Sequence, residues 1–114
     1  MVRDLAAHRL AATALEVSAE LAEGHGDAPA AGRFFGAASA LRNAIGAQSG
    51  PEESKLQNEV IARARARAHA DVFDVEWARG EAFDMHAALD DAASWIAVSW
   101  GHEPNERSPR NVSP

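Results

Sequence analysis

Five histidines and seventeen acidic side chains hold most of the chemical capacity of this 114-residue sequence. A bound metal needs several such ligands converging on one point. His86 and Asp90 stand four residues apart, as do Asp4 and His8, so each pair shares one face of a helix. No third ligand follows at a useful spacing, and no H-E-x-x-H occurs. Cysteine is absent, which excludes a disulfide framework and a zinc–thiolate site. The paired carboxylates Glu52–Glu53 and Asp90–Asp91 are chain neighbours. On a helix they point about 100° apart and cannot flank one scissile bond, so they read as helix-end charge and solubility. Ser18, Ser39, Ser54, Ser94 and Ser99 have no G-x-S-x-G setting. The expectation is a protein that is not an enzyme, with no cofactor and no metal.

The formal net charge is −6, with no basic block. Phosphate affinity comes from Lys and Arg displacing counterions, so such a chain is not expected to bind nucleic acid by itself. The run Arg63, Arg65, Arg67 is the best candidate for such contacts, but steps of about 200° spread it around a helix, with Glu59 and Asp71 flanking it. Trp95 and Trp100 have the spacing of a core stripe more than that of an aromatic ligand box. An inter-helix pocket near Trp77, His86 and Trp95, with Glu76 as a further polar group, is the alternative site for a small molecule or metal.

The elements that must position these residues read as helices throughout. Alanine occurs 27 times, whereas Leu, Ile, Val and Phe together number 21. Alanine is the best helix former and makes smooth surfaces that pack closely. In a first helix, over 4–23, Leu10, Ala14, Val17 and Leu21 recur at helical spacing, widened by Leu5, Ala12, Leu15, Ala19 and Ala22. Gly24-His25-Gly26 stops it. Asp27 caps a second helix with Pro29 in its first turn, carrying Phe34, Phe35, Ala38, Leu41 and Ile45. Ser49 to Glu53 opens a third, with Leu56, Val60, Ile61, Ala64 and Ala68 on its buried side. A short helix over 71–79 carries Phe73 and Trp77 and ends at Gly80. Asp84 caps a last helix with Leu89, Ala93, Ile96 and Trp100 in step, widened by Ala88, Ala92 and Trp95. One all-α domain is expected over 1–100, as an antiparallel hairpin followed by three more helices. A disordered, proline-rich tail is expected over 101–114. No apolar run approaches the ~18 residues of a membrane span, and Met1-Val2-Arg3-Asp4 has no apolar signal core. A cytoplasmic protein that does not enter membranes is the expectation.

Two resemblances follow from particular residues. Leu15, Ala19, Ala22, Ala31, Phe35 and Ala38 match the large and small packing positions of a tetratricopeptide repeat (TPR), a helical hairpin of ~34 residues. The stretch Ala30-Ala31-Gly32-Arg33-Phe34-Phe35-Gly36-Ala37-Ala38-Ser39-Ala40-Leu41-Arg42-Asn43-Ala44-Ile45-Gly46-Ala47, followed by 73–89 with Phe73, Trp77, Gly80 and Asp84, resembles the C-terminal helical region of large actinobacterial regulators of the LuxR type. The same region closes some cyclase-like multidomain ATPases. The likeness covers roughly residues 15–93. It departs at Gln48-Ser49-Gly50-Pro51 and at His69-Ala70-Asp71, and the sequence carries neither a G-x-x-x-x-G-K-[ST] loop nor a basic recognition helix. The chain is then a free-standing relative or a piece of such a regulator. The resemblance implies a regulatory setting, in transcription or signalling.

A helical repeat without its neighbours leaves one face uncovered. Here that face is the Leu10, Val17, Leu21 side of the first helix, expected to dock another protein or a second copy of the chain.

Overall fold

The computed structural model describes residues 2–46 and 50–101. Its elements are α1 (Val2–Gly24), α2 (Ala28–Ile45), α3 (Pro51–Ala68), α4 (Ala70–Ala82) and α5 (Met85–Ile96), the last continuing as a π-helical turn over Ala97–Gly101. The chain is all-α, and the described residues contain no strand.

The helix ends follow local chemistry. Asp27 Oδ1 accepts from the Ala30 N–H at 3.2 Å and caps α2. Gly46 closes α2 at φ 69°, donating its N–H to the Arg42 carbonyl. Asp84 Oδ1 accepts from the Ala87 N–H at 2.8 Å and caps α5. Between α3 and α4 the chain turns on His69 alone, at φ 68° and ψ 138°. L-residues with a side chain rarely adopt that conformation, so His69 carries backbone strain.

Helix α2 is the hub. Ala30, Ala31, Phe34, Phe35, Ala37, Ala38 and Leu41 are all buried, leaving little of its circumference in water. The other four helices pack around it. Its approach to α4 is backbone to backbone. A Cβ on Gly36 would lie 3.0 Å from the Trp77 Cα, and one on Gly80 would lie 2.9 Å from the Ala37 nitrogen. Gly32 sits under the Phe73 ring. Most of the buried apolar residues are alanines, with Leu15, Phe34, Phe35, Leu41, Phe73 and Trp95 supplying the bulk.

Several expectations need correction. Gly80 does not end the short helix. It lies inside α4, which runs on to Ala82, because its missing side chain serves the contact with α2 and not a left-handed cap. Leu56 is not on the buried side of α3 but 62 % exposed, while Ala64 and Ala68 make the contact. On α5 the buried residues are Ala88, Ala92 and Trp95, one step round from the Leu89–Ala93–Ile96 stripe. The Ser49 opening of the third helix and the tail over 102–114 lie outside the described residues.

Two substitution sets test this packing. Gly36→Val and Gly80→Ala each place atoms inside a neighbouring backbone, and overpacking of that kind costs ~1–3 kcal/mol or more. Gly24→Ala, with open space around the new methyl, loses nothing. His69→Gly removes the strain and gains about 1 kcal/mol. Urea midpoints of the four variants measure all of this.

Candidate interaction surface

Apart from Leu15, helix α1 buries small apolar residues and exposes its large ones. Ala11, Ala12, Leu15, Ala19 and Ala22 face the core, each at most 4 % exposed. Leu10, Val17 and Leu21 stand outward at 72, 50 and 43 % exposure. Ala7 and Ala14 are also exposed, so the outer stripe reads 7, 10, 14, 17, 21, with steps of three and four residues. That is the spacing of a helix seam that meets another helix.

Charged residues within the alanine face set the rotation of α1. Glu16 and Glu23 are 8 and 6 % exposed. Arg42 of α2 grips Glu16 with Nε to Oε2 at 2.6 Å and Nη2 to Oε1 at 2.9 Å, and reaches Thr13 Oγ1 at 3.3 Å. Arg67 of α3 approaches the Glu23 carboxylate at 3.3 Å, and Arg63 does so at 3.6 Å. Buried carboxylates need such partners, since leaving one unpaired costs ~3–5 kcal/mol. With Glu16 and Glu23 turned inward, Leu10, Val17 and Leu21 are turned outward.

The Arg63, Arg65, Arg67 run is spread as its spacing implies, and each member has an intramolecular partner. Arg63 and Arg67 meet Glu23, while Arg65 pairs with Asp74 on α4 at 2.9 Å.

A second clamp ties α2 to α4 and α5. Arg33 donates from Nε and Nη2 to Asp91, at 2.5 and 3.2 Å, and from Nη1 to Glu76 at 3.0 Å. Burial alone would lower the Arg33 pKa, but hydrogen bonds to Asp91 and Glu76 outweigh it and hold it above the ordinary arginine range. A cation whose folded value is raised contributes its stability below the unfolded value and loses it only as pH rises through the folded one. Arg33 therefore stays charged throughout neutral and moderately alkaline conditions.

The residues of the expected pocket do not converge. Trp95 is buried, with its Nε1 donating to Asp27 Oδ2 at 2.7 Å and its ring edge-on to Phe34 and His25. Trp77 leans on Phe73, donates to Glu81 Oε2 at 3.1 Å, and lines a cavity of about 200 Å³ with Glu16, Ser39, Arg42 and Asn58. A second hollow, of about 240 Å³, lies between α1 and α3 with Val17 and Leu56 on its walls. His86 is exposed and lines neither. Among the described residues no group of three or more His, Asp or Glu is placed to hold a metal ion, and no helix is long and apolar enough to cross a membrane.

Sequence reasoning missed the two arginine clamps. Glu16 and Glu23 did carry a signal, because they fall in step with Ala12 and Ala19 on an otherwise apolar face. Arg33 and Asp91, separated by 58 residues, carried none.

Comparison with protein-family models, with curated proteins and with solved structures finds no match to this chain.

Asp27 serves α2 and α5 together, so Trp95→Phe loses one hydrogen bond to a charged group, costing ~1.5–3 kcal/mol, beside the packing of the indole's second ring. Asp27→Ala loses that bond and the cap, adding about 1 kcal/mol. Chemical denaturation of both variants checks these losses.

Proposed function

We propose that this chain is a non-catalytic protein–protein interaction module whose docking element is the outer face of α1. The observation that carries the reading is the arrangement of α1, with four alanines and Leu15 beneath and Leu10, Val17 and Leu21 outside. Apolar side chains scattered singly over a surface mean little, but a stripe at seam spacing along one helix marks an association face. Leu56, across the hollow from Val17, adds to the same side. The residues expected to form the small-molecule or metal site, Trp77, His86 and Trp95, do not line one hollow.

The finer setting rests on likeness alone. The segments 30–47 and 73–89 resemble the helical region of LuxR-type regulators, and within this chain they contribute α2 and α4, which meet at Gly36 and Gly80. A role in transcriptional or signalling regulation, carried out in the cytoplasm through a TPR-like hairpin, is the setting that likeness implies.

The test separates docking from folding. Val17→Lys leaves the unfolding free energy within about 0.5 kcal/mol, as substitutions at exposed sites do. Binding of the immobilised chain to its partner, whether another protein or a second copy, is lost. Val75→Lys, at a 59 % exposed position on α4, retains that binding. Binding that survives Val17→Lys overturns the reading.

A further inference from the structure

The stripe on α1 has features that select one occupant. Its positions are Ala7, Leu10, Ala14, Val17 and Leu21, with the small residues toward the N-terminal half. Two such helices running antiparallel keep an apolar residue in every layer of the seam when their residue numbers sum to 31, and the exposed Ala14 is then filled by a valine. Leu10 then faces Leu21 of the other copy, Ala14 faces Val17, and Ala7 falls beside Gly24. Shifting the register by a heptad, to a sum of 24, sets Leu10 on Ala14 and Val17 on Ala7 but leaves Leu21 opposite position 3, beyond the apolar stripe, and so forgoes the leucine–leucine layers. A parallel pair sets Ala14 on Ala14 and Ala7 on Ala7, which leaves gaps between the larger layers.

Charge selects the same arrangement. Arg9 and Glu20 are both exposed and lie on the same flank of the stripe. In an antiparallel pair related by a twofold axis, equal flanks of the two helices adjoin. Arg9 therefore comes beside Glu20 of the other copy, twice, within one helical turn. In a parallel pair, opposite flanks adjoin and neither charge meets its complement. The flank also carries the small Ala6 and Thr13, which let the two axes approach. Leu56 stands beside Thr13 and Val17 at the hollow next to the dyad, where pairing would shelter it.

We infer that the partner of this face is a second copy of the chain, docked antiparallel through α1 about a dyad between residues 15 and 16. The inference rests on α1 being the docking element. A seam of 23 residues is about 34 Å long. At a helix-wide strip it covers roughly half of the ~800 Å² that each partner buries in a standard interface. The dimer is accordingly weak and reversible, forming as concentration rises.

The absence of cysteine makes the test clean. Full-length Leu10→Cys and Leu21→Cys chains are oxidised mildly, separately and mixed, and covalent dimer is read on a non-reducing gel. In the antiparallel register, equal positions are about 16 Å apart along the axis, beyond the ~7 Å Cα limit for a disulfide. The mixture is expected to give several-fold more dimer than either chain alone, and Arg9→Glu is expected to suppress it. Restoring charge complementarity with Arg9→Glu, Glu20→Arg is expected to recover it. Dimer from either chain alone at the yield of the mixture establishes parallel pairing and overturns the proposal. So does a monomer mass by sedimentation at the highest soluble concentration. If the chain is monomeric yet Val17-dependent binding to another protein persists, the self-pairing falls while α1 remains the docking element. If neither is seen, both fall.

Discussion

The carbonyl of Arg33 and the backbone of Gly80 lie so close that a methyl group has no room between them, and much of the arrangement follows from that contact. Helices that touch through glycine are held at one crossing point, since sliding either way brings a side chain into a backbone. Phe73 is thereby set over Gly32, and Trp77 over Gly36. Arg33 and Glu76, each within a turn or so of the crossing, come within a hydrogen bond of one another. Asp91 then completes the guanidinium's set of partners and draws α5 onto the same hub. The positive φ of His69 is explicable in the same terms. With α4 held against α2, and α3 packed beside both, one residue must make the whole reversal between α3 and α4.

The helices were legible because their ends carry local signals. Asp27, Pro29 and Gly46 bracket α2, and Asp84 opens α5, through interactions within four residues of chain. Which face of each helix is inside was less legible, because alanine is compatible with either side. Leu56 and the stripe through Leu89 had the right period and the wrong phase, displaced by neighbours rich in alanine. Gly80 was misread for a related reason: a helix stop and a close helix contact both require glycine, and only the partner helix distinguishes them. The outward face of α1 was legible as the set Leu10, Val17 and Leu21, but the reason for it, buried Glu16 gripped by Arg42, spans 26 residues and has no local signature.

The arrangement of α1 is therefore a consequence of what α2 presents. A hub already bearing Phe34, Phe35 and Leu41 leaves depth for one leucine of α1, Leu15, with alanines around it. Turning α1 to bring Leu10, Val17 and Leu21 inward would gain roughly 1.5–3 kcal/mol for each residue buried. It would also force the α1 and α2 axes apart by the difference between leucine and alanine, and density lost along a whole helix contact is costly at every layer. The same turn would take Glu16 from Arg42 and Glu23 from Arg67. Close packing and ion pairing thus act in the same direction. They hold Leu10, Val17 and Leu21 in water, where the free energy of burying them is available only to association.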